Sequence, residues 1–396
     1  MKWGKKDGRL PVKSWCEDVE QGAMAQVDSL AEHPALDFHV ALMPDCHQGY
    51  GMPIGGVVAS ESVVIPGAVG VDIGCGMRAF QLPLQASKLS TGDLEQWCEL
   101  VRDTVPVGFS SLERPAIWHG FDEAIDGCEI AKRRVQKAKT QLGTLGGGNH
   151  FIELQEDENG DAWIMVHSGS RNTGLQIAKH YNDLAKELCA TWHAGIPNDD
   201  LAFLPRDSDE GRSYLMEMDW ALSYAKENRR RIMRQAIGAV EEITGRMLCN
   251  EDASEYSATD VHHNYAAMEN HFGKNVMVHR KGATSARRGQ VGIIPGSMGT
   301  SSYIVKGLGN RDSFTSCSHG AGRNMGRKQA SRTLTTEEAN GAMTGIVFDG
   351  YGTDRKGNPD FGEAPQAYKD IDQVMEAQSD LVEIVHKLRP LAVVKG

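Results

Sequence analysis

Apolar positions alternate with small or polar ones in several short runs, each closed by glycine or proline. LDFHVALM (36–43), GGVVASESVVIP (55–66) and GMRAFQLPL (76–84) read as strands on this ground, and so do AWIMVH (162–167), VMVHR (276–280), VGII (291–294) and SYIVK (302–306). A different period governs residues 213–247, which hold no proline. There Leu215, Met218, Leu222 and Ala225 share one helical face, continued by Ile232, Ala236, Val240 and Ile243, with Arg229, Arg230, Arg231 and Arg234 on the solvated side. IDQVMEAQSDLVEIVHKL (371–388) carries a second helical stripe of Ile371, Val374, Met375, Leu381, Val382, Val385 and Leu388, with His386 at its surface. Thr335 and Glu338 have the spacing of a capping box that opens a helix. Strands and helices are interleaved, without repeat, low-complexity tract or linker. The pattern predicts one α+β domain over residues 1–396.

Composition narrows the class. Apolar residues make up 40% of the 396, enough for a substantial core, and the 44 glycines call for many turns and close-fitting loops. No apolar run approaches the roughly 20 residues that span a bilayer, so no membrane segment is expected. The cationic start MKWGKKDGRLPVKSW lacks the apolar stretch of a secretory signal. Eight scattered cysteines suit reduced thiols in the cytoplasm. A net charge of −11 argues against indiscriminate coating of nucleic acid, yet cations cluster locally. Arg280, Lys281, Arg287 and Arg288 form one group in HRKGATSARRGQ, and Arg323, Arg327 and Lys328 form another. Together they point to anion binding.

The second group follows FTSCSHGAGRNMGRK (314–328), where His319 is surrounded by small residues. That is a histidine on a tight turn, facing something anionic. VGVDIGCGM (69–77) sets Asp72 and Cys75 three apart among glycines, so a carboxylate and a thiolate can meet one cation. GTLGGGNHFIE brings His150, VHSGSR brings His167 to a strand end, and DVHHNYA adds His262 and His263. Any one of these is more often structural. As a set, carboxylate, thiolate and imidazoles suit a borderline divalent ion and do not match a structural zinc site. Such a ligand set would also serve a metallo-phosphoesterase, or persist in an RNA-binding subunit that has lost catalysis.

MPDCHQGYGMPIGG, GVDIGCGM, GTLGGGNHF, VHSGSR, HHNYA, HRKGA, IIPGSMG, SCSHGAGR, AYKDID and the terminal VVKG occur in this order along nearly the whole chain. Together they resemble the RtcB family of RNA-splicing ligases. The resemblance implies a single large domain with mixed sheets and flanking helices around a central metal and nucleotide cleft. It also implies joining of RNA 3′-phosphate or 2′,3′-cyclic phosphate ends to 5′-hydroxyl ends, with GTP as co-substrate and two Mn²⁺ ions, in RNA repair or tRNA splicing. The expected protein is cytoplasmic, a monomer or weak homodimer. Residue by residue, His319 matches the histidine that becomes guanylylated. Asp72, Cys75, His150, His167 and His263 match the metal ligands, with Cys75 bridging. His263 is chosen over His262 because the family ligand directly precedes the asparagine, here Asn264. The guanylate contacts fall on Asn149, Phe151, Glu153, His263, Asn264, Ser297, Ser302, Gly320, Ala321, Gly322, Tyr368 and Lys395, and the RNA phosphates on Arg171, Arg323 and Arg327. Two departures bear on substrate preference: Cys46 replaces an expected aliphatic residue, and the segment between Cys75 and His150, including SLERPAIWHG, is short for bacterial members.

Overall fold

A computed structural model of the chain describes residues 1–122, 126–249, 258–353 and 357–396. Among these residues two large sheets organise the fold. The first has six strands in the order Trp3–Lys5, Val12–Ser14, Asp37–Tyr50, Met52–Ser60, Lys274–Lys281 and Asn264–His271. The second runs Thr259–His262, Gly76–Gln85, Asp161–Ser168, Phe151–Glu156, Val382–Lys395, Ser302–Gly307 and Val291–Ile294, with Val347–Phe348 joined in parallel to Val382–Lys395. Its two end strands lie against each other, so the sheet curls around an inner face.

Strand alternation decides what that inner face carries. Phe80, Leu82, Ile152, Leu154, Ile164 and Val166 point outward and are covered by Trp97 and Val101 of helix Thr91–Thr104 and by Ile232, Ala236 and Val240 of helix Asp209–Thr244. Their neighbours Met77, Ala79, Phe151, Trp163 and Met165 point inward, against Val261, Ile293, Ile304 and Leu388. The same parity carries Glu153 and His167 to the inside. The six-stranded sheet is sandwiched likewise. Val40, Leu42 and Val58 meet Ala23, Val27 and Leu30 of helix Gln21–Ala31, while Ala41, Met43, Val57 and Ala59 meet Tyr303, Val305 and Phe314.

The long helix runs over Asp209–Thr244, starting four residues before the predicted 213–247 and ending three residues short of it. Ser208 accepts the Gly211 amide at 3.0 Å, Asp209 and Glu210 occupy the first turn, and Gly245 ends it at φ 63°. The capping box of Thr335 and Glu338 opens helix Thr336–Gly341. Three expectations fail. The helical stripe over 371–388 is a helix only across Ile371–Ala377; Val382–Lys395 is a strand. Its short apolar run fits both periods, and pairing along both edges, with Ser302–Gly307 and Phe151–Glu156, decides the matter. Arg229 is not solvated but fully buried against Asp260, because the helix lays that face on the curled sheet. Arg280 and Lys281 do not serve an anion loop. They lie buried in Lys274–Lys281, where Arg280 pairs with Glu269 at 2.6 Å and Lys281 donates to the carbonyls of Gly67 and Tyr50.

Candidate metal and nucleotide site

The five expected metal ligands come from separate elements and converge. Asp72 and Cys75 lie in the loop between helix Pro66–Val69 and strand Gly76–Gln85, and His150 ends the glycine loop before Phe151–Glu156. His167 closes strand Asp161–Ser168, and His263 sits between Thr259–His262 and Asn264–His271. Cys75 Sγ is 3.4 Å from His150 Nε2 and 3.3 Å from His167 Nε2. His150 Nε2 is 3.3 Å from Asp72 Oδ2, and His167 Nε2 is 3.3 Å from His263 Nε2. Backbone bonds hold the loops in register: the His263 amide donates to Cys75 O at 2.9 Å and Gly74 N to Asn264 O at 3.0 Å.

This donor set fits a cation. His150 Nδ1 lies 3.0 Å from Leu145 O and His167 Nδ1 3.1 Å from Asn149 O, so in each ring Nδ1–H donates outward and the Nε2 lone pair faces the cluster. Burial, followed by the neighbouring imidazoles and cations, holds His167 and His263 well below the usual histidine range, so they remain neutral ligands. Burial pushes the Cys75 thiol far up, and the Asp72 carboxylate adds to that; a thiolate here requires a positive ion beside it. Burial is the strongest single influence on Asp72 and acts to raise it, but His150, Cys75 and Arg171 together outweigh it and leave the carboxyl below its ordinary value. The Nε2 lone pairs of His150 and His167, both turned toward Cys75 Sγ, suit a cation shared among them.

His319 follows strand Ser316–Ser318, and its ring centroid is 4.7 Å from that of His263. Its Nδ1 is 2.6 Å from Oδ2 of the fully buried Asp45, which also accepts the His319 amide at 3.1 Å. Nδ1 therefore carries the proton, and Nε2 keeps its lone pair for chemistry. The turn is tightly built. Gly322 has φ 73°, and a Cβ there would lie 2.4 Å from the Asp45 carbonyl oxygen. The Ala321 amide donates to Pro295 O at 3.0 Å, and Pro295 is also the nearest neighbour of Gly320. That contact brings the Ser297 turn beside the histidine, where Ser297 Oγ is 3.0 Å from Thr300 Oγ1.

Phe151 stacks edge-on to His167 with centroids 5.4 Å apart, and Lys395 Nζ lies 5.6 Å over its ring. Glu153 accepts from Gln155 at 2.6 Å, and Gln155 also reaches Ser302 Oγ at 3.3 Å. Burial lifts Glu153 to about 8, against the pull of Lys395 and Gln155. Asn264 points its amide at the loops, donating to Asp72 O at 3.0 Å and accepting from Gly282 N at 2.8 Å, so it braces the ligands. Tyr368, Arg323, Arg327 and Lys395 all meet one residue the sequence did not single out, Glu363. Arg327 Nε is 2.6 Å from it, Arg323 Nη1 3.3 Å and Lys395 Nζ 3.5 Å, and the Tyr368 hydroxyl donates to it. Arg323 also stacks over Tyr368 at 4.8 Å. Arg171 stands apart from this group, donating to Gly108 O and Thr144 Oγ1, each at 3.3 Å, beside the glycine loop. Asp45 was likewise missed. A carboxylate within the apolar run of Asp37–Tyr50 was the available signal; Glu363 offered none.

A family model described as tRNA-splicing ligase RtcB matches residues 26–396. The RNA-splicing ligase RtcB of Escherichia coli (strain K12) is 39% identical over 404 residues, covering 98% of this chain and 97% of its own. That of Mycobacterium tuberculosis is 33% identical over 443 residues, with 94% and 100% covered. The tRNA-splicing ligase RtcB of Thermococcus kodakarensis is 30% identical over 465 residues, with 98% and 95% covered.

Proposed function

Since the chain belongs to the RtcB family of RNA-splicing ligases, we propose that it joins RNA 3′-phosphate or 2′,3′-cyclic phosphate ends to 5′-hydroxyl ends, through GTP and a covalent bond to His319, with residues 1–396 acting as one ligase domain. The observation that carries this reading is the Asp45–His319 pair at 2.6 Å beside the cluster of Asp72, Cys75, His150, His167 and His263.

Asp45 accepts the Nδ1–H hydrogen bond and fixes the ring, so Nε2 attacks the α-phosphorus of GTP and pyrophosphate leaves. The RNA 3′-phosphate then displaces His319 from the GMP, and the ring recovers its lone pair. Attack by the 5′-hydroxyl of the second RNA on that activated phosphate seals the strand and releases GMP. A cyclic phosphate is first opened by water. Asp72, Cys75, His150, His167 and His263 would hold two Mn²⁺ ions, which would supply charge neutralisation around the phosphates. Glu153, Ser297, Ser302, Tyr368, Lys395 and Asn149 surround the guanylate, while Arg171, Arg323 and Arg327 hold RNA phosphates, the latter two released from Glu363. Every transfer occurs at phosphorus amid negative charge, so prearranged electrostatics provide most of the acceleration. In a buffer with Mn²⁺ and α-labelled GTP, the wild-type chain becomes labelled at His319 and His319→Ala does not. A labelled alanine variant overturns the assignment, and a chain that hydrolyses phosphoesters without GTP points to the phosphoesterase.

A further inference from the structure

The two most exposed large apolar side chains among the described residues are Phe109, at 103%, and Ile117, at 90%. Both lie in one connector, residues 107–117, which is fastened along its length. Gly108 N donates to Gly146 O at 2.8 Å, Leu112 N to Thr140 O at 2.8 Å and Ala116 N to Lys139 O at 2.8 Å. A tight turn, closed by Ser110 N on Val107 O at 3.2 Å, therefore presents the Phe109 ring to solvent from a fixed base. The base adjoins the proposed site, because Arg171 donates to Gly108 O and Gly146 belongs to the glycine loop that ends at His150.

The helix that leads into that loop, Glu129–Gln141, is EIAKRRVQKAKTQ, with five cations and one carboxylate in a chain of net charge −11. Lys139 lies over Phe121 at 5.6 Å. The other four, Lys132, Arg133, Arg134 and Lys137, are exposed, and none has a carboxylate partner among the described residues. Lys137 Nζ reaches Ser111 Oγ at 2.9 Å, tying the basic face to the Phe109 connector. On a helix, residues 133, 134 and 137 share one side, about 6 Å of axis from end to end.

We propose that Phe109 with Arg133, Arg134 and Lys137 forms an outer RNA surface: an unpaired base stacks on the ring, and adjoining phosphates follow the basic helix toward Arg171 and the metal cluster. This rests on the ligase reading above. A bare aromatic beside cations that no carboxylate neutralises matches a polyanion that offers flat apolar faces at short intervals, which is single-stranded nucleic acid. It also assigns a role to the segment between Cys75 and His150.

The test uses the full chain with Mn²⁺ and a single-stranded RNA bearing the two reactive ends, its affinity measured between about 50 and 200 mM salt. Phe109→Ala should weaken RNA binding by roughly 5- to 100-fold, and Phe109→Trp should restore it. The triple variant Arg133→Gln, Arg134→Gln, Lys137→Gln should flatten the slope of log K against log salt by about 2. GMP labelling in GTP alone should match wild type in both. Wild-type RNA affinity and slope in the variants would overturn the proposal. So would lost binding to polyglutamate with RNA affinity intact, which assigns the surface to an acidic protein. Failure of the ligase reading shows up separately, as a wild-type chain that takes no label and seals no RNA.

Discussion

Asp45 makes no hydrogen bond to the expected metal ligands or to Arg171, Arg323 and Arg327, yet it determines which nitrogen of His319 is free. Asp45→Asn keeps the shape and removes the charge that stabilises the Nδ1 proton. Its rate of GMP labelling should fall by about 100-fold or more while GTP still binds. A wild-type labelling rate would remove Asp45 from the mechanism. Glu363 illustrates a different balance. Burial works against its charge, but Lys395, Arg327, the Tyr368 hydroxyl and Arg323 hold its carboxyl at about 2, from an ordinary 4.5. A depressed carboxyl stabilises the fold fully above pH 4.5, and that stability is lost as pH falls toward 2. The expected contribution is about 3 kcal/mol. Glu363→Gln should lose most of it at neutral pH and show a shallower decline in urea midpoint between pH 4.5 and 2. An acid limb identical to wild type would refute this.

At the level of elements, the turn after His319 depends on Gly322, which combines a left-handed φ with backbone contact to Asp45. Gly322→Ala should cost about 1–3 kcal/mol in denaturant unfolding and slow labelling as well, since the turn carries His319, the proposed nucleophile. Unchanged stability would show that the turn can move. The convergence of Asp72, Cys75, His150, His167 and His263 was legible in the sequence because reactive side chains spaced among glycines do little for packing. The strands were legible because their alternation is strong. Helix Glu129–Gln141 escaped notice, since it buries only Ile130, Ala131, Ala138 and Gln141 and so shows little apolar periodicity. Val382–Lys395 was misread because its period is settled by partners distant in sequence. Arg229 was misread for a similar reason: its carbonyl and carboxylate partners, Gly74, Ser168 and Asp260, come from three other segments. Asp45 meets His319 across 274 residues of chain, a distance no local pattern spans.

For the whole molecule, the proposed ligands tie together loops from residue 72 to residue 263, so a bound cation should stabilise the native state globally. Chelation should lower the calorimetric unfolding midpoint by several degrees, equivalent to about 3 kcal/mol at a hundredfold excess of Mn²⁺ over its Kd. Cys75→Ala should abolish most of that difference; an equal response in the variant would count against a shared thiolate. The strand Val382–Lys395 has a further consequence. It fills the gap between Phe151–Glu156 and Ser302–Gly307, and it is synthesised some two hundred residues after the first of them. At 5–20 residues per second, Phe151–Glu156 waits roughly 10–40 s on the ribosome with one edge unmatched. Open edges recruit strands from other chains. Overproduction at high temperature should therefore yield insoluble protein that a chaperone holding that edge would rescue, whereas slower elongation would prolong the exposure and would not.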